Sequence, residues 1–146
     1  MHYKLLCRLL CLITIASMTG CMGSHWKDVT SINTISSYES FLKQYPSGEF
    51  SDDARSRLET LYYEKAKTHN SIKEYEEFLG RYPKSRYKEE IGTLLEMLSF
   101  QEAKHINTTQ SYETFLERFP NGKYKIESLS ILEELYFQQV KIANNV

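Results

Sequence analysis

A chain of 146 residues, 41% hydrophobic and 25% charged, is long enough for one compact domain or a short repeat array, and too short for a second full domain. Its formal net charge is -1, and the first twenty residues hold two of its bases, Lys4 and Arg8, so their removal makes the remainder more acidic. Binding to a polynucleotide needs clustered Lys and Arg, and no nucleic-acid partner is expected.

The first predicted element is an export signal. Lys4 and Arg8 precede the apolar stretch Leu9 to Ala16, after which the small or flexible residues Ser17 to Gly20 lead to Cys21; that is the order of charge, apolar core and cleavage point. A permanent transmembrane helix is the competing reading. The run from Leu9 to Met22 falls short of the roughly 20 apolar residues needed to cross the hydrocarbon core, so a cleaved leader over residues 1–20 is expected instead.

Met18-Thr19-Gly20-Cys21 resembles the lipobox of bacterial lipoproteins, with Met18 where leucine is usual and Gly20 supplying the small residue before the cysteine. The resemblance implies thioether acylation of Cys21, cleavage before it, and acylation of the new amino terminus. Cysteine usage points the same way. Cys7 and Cys11 fall inside the leader, leaving Cys21 as the single thiol, which can form no intramolecular disulfide and fits a lipid attachment point better than a stray thiol in an exported chain. Several acyl chains, at about 0.8 kcal/mol per buried methylene, then hold the protein to a membrane without a spanning helix. Residues 21–25 read as the lipidated N-terminus and a short linker. Met22 is not the aspartate that retains such proteins at the inner membrane of enteric bacteria, so the resemblance favours the outer membrane, facing the periplasm.

Residues 26–146 read as a tandem repeat, because sliding the chain against itself by 37 residues aligns it without gaps. Tyr38, Tyr75 and Tyr112 fall in one column; so do Phe41, Phe78 and Phe115, and Pro46, Pro83 and Pro120. Downstream, Phe50, Tyr87 and Tyr124 match, as do Trp26, Tyr63, Phe100 and Phe137, and Val29, Ala66, Ala103 and Val140. Each copy predicts a short helix, a proline turn and a longer helix. In the middle copy Asn70 ends one helix and Ser71 caps the next, with Glu74 placed to complete a capping box. Ile72, Tyr75, Phe78 and Leu79 then form one apolar face, and Pro83 stops the helix by biasing Tyr82 away from helical dihedrals. The longer helix, expected over about Ser51 to Thr68, places Ala54, Leu58, Leu61, Tyr62 and Ala66 on one face.

The stretches Tyr38 to Pro46, Tyr75 to Pro83 and Tyr112 to Pro120 resemble the tetratricopeptide-like (TPR-like) repeats of envelope lipoproteins and outer-membrane assembly factors. The likeness implies an all-α fold: a right-handed stack of helical hairpins, about two and a half to three units. The period of 37 departs from the family's usual length of about 34. Leu42, Leu79 and Leu116 stand where the family has a small residue, and Ala54 becomes Ile91 and Ser128 in the later copies.

No catalytic or metal constellation is expected. Ser24–Lys27, Ser40–Lys43 and Ser85–Lys88 match a Ser-x-x-Lys pattern but lack the companion motifs of the enzymes that use it, and read as surface positions. His25, His69 and His105 lack ligand spacing and read as solvated helix-end residues. The acidic columns Glu39, Glu76, Glu113 and Glu59, Glu96, Glu133 read as a solvated or salt-bridged ladder. The expected function is therefore that of a protein-binding scaffold in the cell envelope, with neither enzyme activity nor cofactor. A structural spacer, and an enzyme or small-ligand carrier on the same fold, are the rival classes. The last helix carries apolar residues with no following unit to cover them, so a docked partner or a homo-oligomer is expected at the C-terminal end, with Leu129, Phe137 and Val140 as its candidate interface.

Overall fold

A computed structural model describes residues 22–144. Cys21, its expected acylation and the leader over residues 1–20 lie outside the described residues. Those described are all-α, with no strand among them: α1 covers residues 22–32, followed by α2 (Ile35–Gln44), α3 (Ser51–His69), α4 (Ile72–Arg81), α5 (Lys88–Ile106), α6 (Thr109–Arg118) and α7 (Lys125–Ala143). Short and long helices alternate as expected, and α3 ends within a residue of the expected position. The chain divides into two compact units, Met1–Glu64 and Lys65–Val146.

The corners that end α1, α3 and α5 share one chemistry. Asn33, Asn70 and Asn107 adopt the left-handed conformation, with φ of 50, 45 and 53°, which asparagine tolerates better than most side chains. The next residue caps the following helix: the side chains of Thr34, Ser71 and Thr108 accept from the backbone N–H of Ser37, Glu74 and Ser111. Ser37 and Ser111 return the bond, closing a full capping box. Only half of the box expected at Ser71 forms, because the Glu74 carboxylate turns to the Lys65 ammonium, 3.7 Å away. The buried tyrosines then lock the corner, Tyr38 and Tyr75 each donating a phenol hydrogen bond of 2.9 Å to Asn33 and Asn70 Oδ1.

Aromatic rings fill the cores. In the N-terminal unit Val29, Tyr38, Phe41, Ala54 and Leu58 are buried, and Trp26 lies flat on Phe50 with ring centroids 5.3 Å apart. In the C-terminal unit Phe100, Ala103, Tyr112 and Phe115 form the equivalent cluster, and Phe100 lies flat on Tyr124 at 4.5 Å. Full burial of each large side chain contributes about 1.5–3 kcal/mol against the entropy of ordering the chain. Within this unit α5 packs on α4 and α6, and α6 on α7. Ala54, Ile91 and Ser128, which share a column, are all fully buried, so residues of different volume occupy corresponding places and the surrounding packing must differ.

The long helix α7 has no side-chain cap of its own. Instead Glu96 on α5 reaches across, its Oε1 accepting from the backbone N–H of Tyr124 at 3.1 Å. A side chain at Gly122 would overlap that carboxylate, so the bare glycine is required for the cap to form. Glu96 thus has a structural role, where its column was expected only to be a solvated or salt-bridged ladder.

Candidate functional site

The candidate site is the outer side of α7, and it follows from what covers the matching positions earlier in the chain. Trp26 is covered by Phe50, and Phe100 by Tyr124. Val29 and Ala103, in the next column, are 2% and 3% exposed. Phe137 and Val140 continue these columns on α7, and they are 62% and 58% exposed.

Leu129, at 47% exposed, and Ile126, at 82%, lie on the same side. At about 100° per residue the four side chains project within about 80° of one another. The opposite side of α7 holds Ile131, Leu132 and Leu135 against the core. The helix therefore carries large apolar residues on two sides, and four exposed ones within a narrow arc exceed the single exposed apolar residues ordinary on a surface.

One charge stands within the strip, because Glu133, seven residues after Ile126 and four before Phe137, projects between them. Glu133 and Glu134 flank Phe137 in a shallow groove with Ser130 and Ile131. Lys141 extends the column of Lys67 and Lys104, whose ammonium groups lie 3.0 and 3.3 Å from Glu90 and Glu127 on the long helix that follows each. These exposed pairs add little stability, but they mark where an acidic group sits when a helix is seated on this face.

Other sequence candidates resolve differently. His25, expected at a solvated helix end, packs its ring edge-on against Phe41 and Tyr45 of the short helix that follows it, at 5.5 and 5.7 Å. His69 and His105 are exposed, as expected. Glu39 and Glu113 accept hydrogen bonds from Tyr62 and Tyr136, whereas Glu76 pairs with Arg118 at 2.6 Å. Ser40 is exposed on α2, and Ser85 accepts from the Tyr87 N–H in a turn. Among the described residues no group of three or more His, Cys, Asp or Glu side chains could hold a metal ion, and no helix is long and apolar enough to cross a membrane. No protein-family model and no curated protein sequence matches the chain.

Ile126 was missed in the sequence, although its column carried the signal: Asp52 and Glu89 occupy it in the earlier copies, so an isoleucine there breaks a polar pattern. Leu129 likewise stands where Arg55 and Gly92 precede it.

The tyrosines set a limit at high pH. Burial pushes the Tyr75 phenol above its ordinary value of 10.0, with Lys67 opposing and Glu90 reinforcing. Burial does the same at Tyr112, and the hydrogen bond to Glu113 raises Tyr136. The folded chain holds these protons more tightly than the unfolded one, so their contribution is complete below pH 10 and is lost as pH rises through the folded values. Denaturant melts followed by circular dichroism should show stability falling above pH 10. The fall should be shallower in Tyr75→Phe, which is also weaker at neutral pH for want of its bond to Asn70.

Proposed function

We propose that the protein is a membrane-anchored periplasmic lipoprotein whose helical hairpins form a TPR-like stack and serve as a protein-interaction scaffold in the cell envelope. The single observation that supports this reading is the exposure of Phe137 and Val140 on α7, beside exposed Ile126 and Leu129, where Val29 and Ala103 in the Val140 column are buried and Trp26 and Phe100 in the Phe137 column are covered by Phe50 and Tyr124. The occupant is a helical hairpin of a partner protein. Its leading helix lays aromatic side chains over Val140 as Tyr112 and Phe115 pack with Ala103, and its second helix brings an acidic residue to Lys141 as Glu127 comes to Lys104. Such a surface needs no catalytic group: affinity comes from burying a few large apolar anchors, and the charges among and beside them set register.

Crosslinking the intact protein in cells and identifying what is captured through residues introduced at α7 tests the scaffold. Recovery of a distinct protein supports it; recovery of the same chain alone replaces it with a homo-oligomer, and a clean monomer with no crosslinked species removes it. The anchor has its own test. Cys21→Ser is expected to abolish incorporation of labelled palmitate and to release the chain from sedimenting membranes, and continued labelling of that variant refutes acylation at Cys21.

A further inference from the structure

A pocket lies between α5 and α6, where one copy lacks a ring. His25, Tyr62, Ser99 and Tyr136 share a column. The His25 ring rests on Phe41, while the phenols of Tyr62 and Tyr136 donate to glutamates on the short helices, Glu39 and Glu113. Ser99 provides no ring. Beside it is the pocket, of about 310 Å³ on the α6 side, lined by Ser99, Ala103, Ser111, Thr114, Phe115 and Arg118 among others.

The pocket has a buried floor and a polar rim. Phe115 and Ala103 are 2% and 3% exposed, Thr114 and Arg118 are exposed, and Arg118 Nη2 spans 2.6 Å to Glu76, the glutamate that corresponds to Glu39 and Glu113. Ser99 is itself 9% exposed, and its hydroxyl has no hydrogen-bond partner. A buried hydroxyl without a partner is destabilising, and a ligand bearing a polar group can relieve it.

We infer that this pocket is a seat for a tyrosine side chain presented by a partner protein, the ring covering Phe115 and the phenol donating to Glu76 beside Arg118. The occupant's chemistry is read from this chain, which in the other three copies puts an aromatic ring in the column and in two of them hydrogen-bonds it to the matching glutamate. The inference rests on the scaffold reading and adds to it a specificity for one side chain.

The test is titration of the full chain with p-cresol, the tyrosine side chain alone, followed by amide chemical shifts. Saturable shifts are expected at Ser99, Ala103 and Thr114, with a weaker response to toluene. Ser99→Tyr restores the residue of the other copies and should abolish the response while raising the melting temperature by a few degrees. Ser99→Leu fills the same space with a smaller side chain, and serves if the tyrosine variant fails to fold. Glu76→Gln should remove the preference for p-cresol over toluene. The seat is overturned if the native chain shows no saturable shift, if both filled variants respond as it does, or if toluene and p-cresol bind alike. None of these outcomes touches capture at α7, so the scaffold reading stands or falls separately.

Discussion

Phe115→Ala is expected to cost about 3–5 kcal/mol of folding free energy, the range for removing a buried aromatic ring. Phe115 is 2% exposed, its ring centroid lies 5.4 Å from Phe100 and 5.3 Å from Phe119, and it belongs to the cluster with Ala103 and Tyr112. Truncation loses the transfer of the ring out of water and leaves a hole that the facing rings, fixed by their own contacts, fill only in part. Against the total of about 5–15 kcal/mol usual for a domain, that loss is a large share of the stability. Phe137→Ala is the matched control. The same side chain is 62% exposed there, so its removal should change stability by no more than about 0.5 kcal/mol. Urea melts of the two variants decide the matter, and a Phe115→Ala midpoint near the native one would show that the short helices do not hold the core.

Phe137→Asp combined with Val140→Asp is expected to remove partner capture while leaving the melting temperature within a degree or two of the native chain. Anchors at the centre of an interface each contribute at least about 2 kcal/mol, so losing one weakens binding roughly thirtyfold and losing both leaves no stable complex. Both side chains are more than half exposed, so the charges meet water in the free protein and desolvation in the complex. Quantitative crosslinking against the native chain measures the loss. Capture undiminished by the double substitution would place the binding surface elsewhere.

Much of this architecture is legible in the sequence because it is written by local rules. Helix ends follow from the proline after each short helix and from the Asn-Thr or Asn-Ser step after α1, α3 and α5, where the chain itself supplies the left-handed corner and the cap. The columns of Phe137 and Val140 are legible too, because the 37-residue spacing aligns them with Phe100 and Ala103. What escaped are the effects of side chains that reach between helices. Nothing in the local sequence says that Glu74 prefers Lys65 to the backbone, that Glu96 caps a helix starting at Lys125, or that His25 turns inward onto Phe41. The pocket at Ser99 was missed for another reason: a serine in a helix is unremarkable until its column is read and the missing ring is noticed.

The packing order within the C-terminal unit bears on how the protein assembles. Because α5 meets α4 and α6, and α6 meets α7, each of these helices packs on a segment adjacent along the chain, and the longest reach among them is from α5 to the start of α7. Loops that short cost little entropy to close, and a topology made of near-neighbour contacts is the kind that folds quickly. Assembly can thus advance one helix at a time as the polypeptide emerges from a pore or a ribosome, without waiting for its far end.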